Sequence, residues 1–501
     1  MFACEVKFAA RLGMICLFTA ALPFLLMMQG CGGASKAAAS PASDTTPTIS
    51  VQPATASIQQ WQNVQLSVSG AEAGTACTWQ AAQGSILSSL GNGQFQGSQQ
   101  GSTQVTVSCG TETAVANVTV SAQVASGPIK ITSGGTYSGN WSSSDSSTPA
   151  VTINTDAPVT IQDSVISSKG TLISLQGAST GANVTIENVT GTALDPGVSG
   201  AQRGVFVNAT KVTSLVVKNC SITGASFGIK IAGAAPTTLQ ITNNLATDLE
   251  DRASDGNGGF LASRPSLGHF IILNGVSALS GAEIAWNKSV QTIGQTSTED
   301  VINIFNSQGS QGHPISVHDN YMEGASSPVT GGSGHYTGTA MVTDGAATNP
   351  TQVTAFVQFQ ANEVVATSGT GVGIASGHDV SASANRIVSC GKDGSGKWYA
   401  WGANGVVIWN YYASTLFYNN TITGTVGGMV GPTTSQAPKA FDAWINGPDA
   451  ADAGTSISPN DFSDPCLANG TVNLQAESAE RAFWAAKIAA AGETIGDQHS
   501  N

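Results

Sequence analysis

One short pattern recurs through the middle of this chain and restricts its fold more than any other feature. An apolar residue, two variable residues and an Asn appear as ITNN (241–244), IAWN (284–287), VHDN (317–320), FQAN (359–362), ASAN (382–385) and FYNN (417–420). Two earlier segments, IENV (186–189) and VKNC (217–220), keep the strand and lose the Asn. Successive Asn residues stand 43, 33, 42, 23 and 35 positions apart. The shortest step suits one coil of three short strands, and the longer steps imply insertions. A second strand series interleaves: TLISLQG (171–177), RGVFVNA (203–209), FGIKIAG (227–233), HFIILNG (269–275), DVINIFN (300–306), TAMVTDG (339–345), GVGIASG (371–377) and NGVVIWN (404–410). No single coil can bury its Val, Ile and Leu side chains alone, whereas stacked coils make one continuous core. Asn tolerates the tight bend, so its recurrence at one turn predicts an internal ladder of amides.

Composition agrees. Charged residues are only 10% of the chain, Gly numbers 59, and 41% of residues are hydrophobic, so short strands and turns are expected and disorder throughout is not. The fold class is all-β. Period and ladder together resemble the right-handed parallel β-helix of the pectate-lyase-like superfamily, over residues 128–435. The resemblance implies a fold and, by itself, no activity.

The N-terminus reads as an export signal. Lys7 and Arg11 precede a nearly unbroken apolar run from Met14 to Met28, which is short for a membrane span and right for a signal sequence. The run ends at Met28-Gln29-Gly30-Cys31, which resembles a bacterial lipobox, with Met28 in place of the usual Leu. The resemblance implies lipidation of Cys31, cleavage after residue 30, and an anchor in the cell envelope, expected at the outer membrane. Membrane contact is then expected through the lipid only. Residues 31–47 read as a flexible linker.

Residues 48–123 carry short alternating strands, among them VQLSVSG, TACTWQ, TQVTVSC and AVANVTVSA. With Trp79 close after Cys77 and Cys109 further on, they resemble a bacterial immunoglobulin-like sandwich, without the full spacing of antibody domains. The resemblance implies a Cys77–Cys109 disulfide across the sheets and a spacer role. Cys220 lies in a strand and reads as a buried thiol, and Cys390 with Cys466 is a second candidate bridge. Residues 436–501 read as loop followed by a helix at 475–492, with Ala482, Phe483, Ala486, Ile488 and Ala489 near one face. Solenoid ends expose core and strand edges, so this tail is expected to be a C-terminal cap.

The formal net charge is −13, and residues 1–30 contribute a net positive unit, so the remainder is more acidic still. Such a surface does not suit nucleic acid. A polysaccharide or other envelope glycan is the expected partner.

The insertions point to where chemistry would sit. Long loops at 246–268, 288–299, 323–338 and 388–403 leave the coil after the Asn-bearing strand and crowd one corner, and long loops on a rigid scaffold build binding sites. They hold Asp248, Glu250, Asp251, Arg252, Asp255, Arg264, Glu299, His335, Tyr336, Lys392, Asp393, Lys397, Trp398, Tyr399 and Trp401, with His269 and Asp300 opening the strands that follow. Second-series strands end in Asn274, Asn306, Asp344 and Asn410, with His378 and Asp379 just beyond another, so a polar row is expected beside the loops.

Three chemistries fit. A lyase needs a base and a group that neutralises a uronate carboxylate; Arg252, Arg264, Lys397 and His378 are candidates, with Ca2+ as an optional cofactor held by carboxylates such as Asp248 and Asp251. A glycoside hydrolase needs two carboxyl groups, from Asp255, Glu299, Asp300, Asp344 and Asp379. A non-catalytic glycan-binding or structural β-helix would use Trp398, Tyr399 and Trp401 for stacking. Arg264, Asn306, Tyr336, Trp398, Trp401 and Asn410 are the candidate substrate contacts. Each residue also has a plain structural reading, such as an Asp-Gly turn at 255–256 or a loop ion pair at Arg252. His378-Asp379 resembles the GH-containing segment of polygalacturonases, but the accompanying Asn-Thr-Asp, paired-Asp and Arg-Ile-Lys motifs are missing in matching order. No signature of pectate or alginate lyases stands out.

Overall fold

The computed structural model describes residues 49–261, 267–326, 338–399, 404–445, 454–458 and 460–498. Cys31, Arg264, His335, Tyr336 and Trp401 lie outside the described residues, as do the signal and the linker. What is described is almost all β, with a single helix, Gln475–Ala491.

Two long parallel sheets form a β-solenoid. The first has eleven strands, from Ile129–Ile131 through His269–Asn274, Asp300–Phe305, Thr339–Asp344, Val372–Ile374 and Val406–Ile408 to Ala443–Ile445. It gathers the whole second strand series into one sheet. The second has twenty strands and takes two short strands from most coils, such as Thr238–Thr242 and Leu245–Thr247. Inward Ile, Val and Leu side chains from both sheets make one continuous core, including Ile186, Ile241, Ile284, Val317, Phe359 and Ile422.

The bend between the paired short strands explains the Asn repeat. One residue turns left-handed, at Asn188, Asn219, Asn243, Trp286, Asp319, Ala361 and Ala384 (φ between 50° and 59°). The next residue points inward and forms the ladder. Asn244 donates to Asn287 at 2.9 Å, Asn287 to Asn320 at 2.9 Å, Asn320 to Asn362 at 2.9 Å and Asn362 to Asn385 at 3.0 Å, all through Nδ2 to Oδ1. Each Oδ1 also accepts the backbone N–H of the preceding ladder residue, at 3.0–3.1 Å. The bend would otherwise leave these backbone groups buried without partners. Cys220 occupies the same row, and its N–H donates to Asn244 Oδ1. Burial pushes its thiol well up, so it is inert.

Asn420 is a correction. It does not continue the ladder but accepts from Val380 N–H and donates to Gly377 O at a different corner. In its coil the ladder position belongs to Thr425, whose N–H goes to Asn460. The Asn-Asn dipeptide suits either left-handed corner, so spelling alone does not fix the row. The parallel pairing also runs past residue 435, through Ala443–Ile445 and Ser456–Ile457 to a bridge between Val426 and Asp461. These strands are too short to carry a period.

Residues 49–121 have their own core of Leu66, Leu87, Phe95, Val105, Val107 and Val118, between a four-stranded and a three-stranded sheet. The Cys77–Cys109 disulfide forms, but it does not cross between sheets. The two residues are directly opposed on neighbouring antiparallel strands, Cys77–Ala81 and Gly101–Cys109, with Cα atoms 4.2 Å apart.

The C-terminal helical cap is the single helix, and it lies along the flank of the solenoid. Its buried face is Ala476, Glu477, Glu480 and Trp484, whereas Phe483 is 46% exposed. The apolar periodicity pointed to another face because the true one carries two carboxylates. They are tolerated because they are paired: Glu477 accepts Cys390 N–H at 2.8 Å, and Glu480 holds Arg386 through two bonds of 2.5 and 2.8 Å. Trp484 stacks on Tyr321, 5.3 Å between centroids. Lys487 pairs with Asp319 and Glu363. Beyond the helix, Glu493 accepts from Asn243, and Asp497 and Gln498 N–H donate to Ser221 and Asn188. A Cys390–Cys466 disulfide fixes the start of this run.

Candidate functional site

The long loops do leave from one connection of the coil, between the short strand after the ladder and the next strand of the eleven-stranded sheet: Leu245–Thr247 to His269–Asn274, Lys288–Val290 to Asp300–Phe305, and Tyr321–Glu323 to Thr339–Asp344. At the first two loop ends stand His269, Glu299 and Asp300. Strand register sets His269 beside Asp300, and Asp300 beside Thr339. One ligand atom from each of His269, Glu299 and Asp300 lies within 4.8 Å of the others.

His269 is buried. Its Nδ1 lies 3.0 Å from the Asp300 carbonyl and 3.7 Å from the Asp300 carboxylate, and its Nε2 lies 3.7 Å from Glu299. Its ring meets Phe227 at 5.5 Å, and Lys230 sits over the far ring. Burial pushes the imidazole down to about 4, so it is neutral at neutral pH. The carboxyls move the other way. Burial, then the charge of Asp300, pushes Glu299 up to about 9. Burial also pushes Asp300 up to about 8, against a 2.8 Å bond from Asn303. The fields of Asp344 and Asp251 add to the strain. Glu299 is half-buried and Asp300 buried, and two neighbouring carboxyls so placed cannot both ionise cheaply, which favours a proton held between them. Asn303 Oδ1 and Thr298 Oγ1 are buried beside it without partners among the described residues.

One row of positions on this sheet lies in register from coil to coil: Lys230, Ile272, Asn303, Val342, Gly373, Val407 and Trp444. The other edge of the face carries Asp344, whose Oδ1 accepts from Tyr412 Oη at 2.6 Å and Gly345 N–H at 2.7 Å. Tyr412 belongs to an aromatic group. Tyr411 meets it edge-on at 5.0 Å, Trp409 meets Tyr411 at 4.6 Å and Trp444 at 5.4 Å. Tyr411 and Trp444 are 42% and 40% exposed. None of these residues is among the sequence-predicted contacts, since Trp409 closes a core strand and Trp444 falls in the segment expected to be loop and cap. Two Tyr directly after a strand-ending Trp409-Asn410 were the available signal.

The remaining candidates scatter. Arg252 is held by both carboxylate oxygens of Glu250, by the Gln295 carbonyl and by the Phe260 ring. Asp255 accepts the N–H groups of Asn257 and Gly259, a turn. Asp248 accepts Thr292 N–H, and Asp251 accepts those of Leu267 and Gly268, so neither joins the other as a Ca2+ ligand pair. Asp393 ties the N–H groups of Ser395 and Lys397. Trp398 packs near the Cys390–Cys466 bridge under Lys392, and Tyr399 is buried against Tyr321 and Trp484.

His378 opens a strand of the other sheet, stacked on Tyr418 at 4.6 Å and bonded to Asp379 at 2.7 Å. Asn410 closes on Ser414, and Asn306 accepts Ala347 N–H. The expected polar row also differs, because Asn274 pairs with Phe305 and then Asp344, leaving Asn306 out of register. Left-handed Asn306 (φ 45°) has already turned the chain away.

The His269, Glu299 and Asp300 set offers one imidazole and two carboxylates, a donor set suited to a transition metal rather than to Ca2+. It equally suits proton transfer. No protein-family model matches the chain, and none of the curated proteins matches it.

Proposed function

We propose that this protein is a glycoside hydrolase acting on a polysaccharide from the loop-lined face of a right-handed parallel β-helix. In the same reading, an immunoglobulin-like spacer and a lipid on Cys31 hold it at the bacterial surface. The observation that carries the catalytic part is the cluster itself: the half-buried Glu299 carboxyl stands 3.7 Å from His269 Nε2, beside buried Asp300, and loss of water together with the Asp300 charge favours its protonated form. A hydrolase needs a carboxyl that keeps its proton near neutrality to protonate the leaving oxygen, and a second carboxylate to activate water or attack the sugar. Glu299 is the acid. Asp344, at the far edge of the face but with its charge felt at Glu299, is the second group, and Tyr412 orients it. The aromatic group of Trp409, Tyr411 and Trp444 gives sugar rings a stacking surface next to Asp344.

The lyase chemistry is less well served. Its proposed bases and neutralisers Arg252, Lys397 and His378 are spread over a loop, an outer hairpin and a strand of the twenty-stranded sheet, and Arg252 is tied down by Glu250 and the Gln295 carbonyl.

The test is a screen of the chain against acidic and neutral polysaccharides, following reducing ends and ultraviolet absorbance together. New ends without absorbance are expected, and they must vanish in Glu299→Gln. New ends with absorbance would establish a lyase. Silence in both channels across a broad panel, with retained binding, would establish a glycan-binding protein.

A further inference from the structure

The C-terminal end of the solenoid holds a second pair of carboxyls, remote in sequence from the first. Asp442 leads into the last strand of the eleven-stranded sheet, and its carbonyl accepts Val406 N–H at 2.8 Å. Asp464 sits two residues before Cys466 of the terminal disulfide, in a left-handed turn (φ 49°) whose carbonyl accepts Leu467 N–H. Both side chains converge over Gly428. A Cβ on that glycine would collide with Asp442 Oδ1 and stand 3.3 Å from Asp464 Oδ1.

Asp464 is 9% exposed, yet both of its carboxylate oxygens are enclosed without a hydrogen-bond partner. Asp442 Oδ1 is enclosed and unpartnered as well, while the N–H of Met429 serves the rest of that carboxyl. Among the described residues no Lys, Arg or His contributes to balancing either group. Three enclosed carboxylate oxygens with nothing to accept are expensive, because buried polar atoms are normally satisfied and buried charges paired.

We propose that Asp442 and Asp464 hold a hard divalent cation, with Ca2+ as the ion that fits best. Carboxylate oxygens are hard donors, and Ca2+ accepts irregular sets of carboxylate and carbonyl oxygens. The ion would tie together three segments that close the solenoid: the strand Val426–Pro432, the return into Ala443–Ile445, and the loop carrying Cys466. Gly428 is required because any side chain would fill the space that the ion takes.

The experiment is thermal unfolding of the full chain, first stripped with a chelator and then titrated with Ca2+ to about 10 mM, above the usual range of extracellular Ca2+ modules. The unfolding midpoint is expected to rise with Ca2+ and to return on chelation. Asp464→Asn and Asp442→Asn should fold and lose that response, while the Glu299→Gln, Asp300→Asn double variant should keep it. Native mass spectrometry of the wild-type chain should count one Ca2+, which needs no variant to fold. A midpoint indifferent to Ca2+ with no ion counted would overturn the proposal. So would a response lost in the double variant and retained in Asp464→Asn, since the ion would then belong to the other cluster.

Discussion

Tyr412 donates its hydroxyl to Asp344 across 2.6 Å, and so ties the aromatic group at the C-terminal part of the face to the carboxyl at the edge opposite His269, Glu299 and Asp300. The bond fixes one oxygen of Asp344 and orients the other. Tyr412→Phe should leave the fold intact and reduce turnover, with little change in KM. Asp344→Asn should reduce kcat by about 100-fold or more, in the range of a lost general base. Initial rates of reducing-end release on the active polysaccharide check both.

Glu299→Gln removes the protonated acid without changing shape. Turnover should fall by about 10²- to 10⁴-fold while the unfolding midpoint holds or rises. A substrate whose leaving group needs no protonation should be spared most of the loss, a comparison that separates an acid from a structural residue.

The same carboxyls set a pH dependence of stability. Their folded-state pKa values lie above the unfolded range, so the folded chain keeps protons that the unfolded chain releases between the ordinary carboxylate range and about pH 9. Stability should therefore fall as pH rises through that window. Neutral His269 acts oppositely between about 4 and its unfolded value, so the decline should be steepest above about pH 6.5. In the Glu299→Gln, Asp300→Asn double variant the decline should flatten. Urea midpoints from pH 5 to 9 measure it, and a wild-type curve that rises across this range would refute the assignment.

These residues show how far the sequence could be read. The two strand series and the Asn ladder were legible because burial imposes strict periods on Val, Ile and Asn. Glu299-Asp300 stood out as a charged pair opening an apolar strand in a charge-poor chain. His378-Asp379 looked equally good, yet falls on the other sheet, since one corner residue decides which sheet a strand joins. The aromatic group was illegible for another reason: Trp444 reaches Trp409 only through stacking of successive coils, a contact that no local spacing encodes.

Asn320→Ala should cost about 3 kcal/mol, because it removes an amide and strands backbone groups of Asn287 and Ile284 in the core. Asn420→Ala, outside the ladder, keeps its neighbours' row intact and should cost less. Urea denaturation of the two variants compares them directly.

Trp484→Ala should cost about 3–5 kcal/mol, in the range of large aromatic truncations, by emptying the contact with Tyr321. Limited proteolysis should then cut the C-terminal tail before the coils, whereas in the wild type the tail should be protected.

A stack of coils that touch only their neighbours ought to fray from an exposed end and melt in instalments. The chain from Glu477 to Gln498 forbids that, because it grips coils from Arg386 back to Asn188. Loosening one coil disturbs a batten shared with the rest, so the solenoid should unfold as one body. That batten is synthesised after every coil it covers. Until it lays down, the flank of every coil it covers stays open, so those coils are completed by its closure rather than by their own last turn.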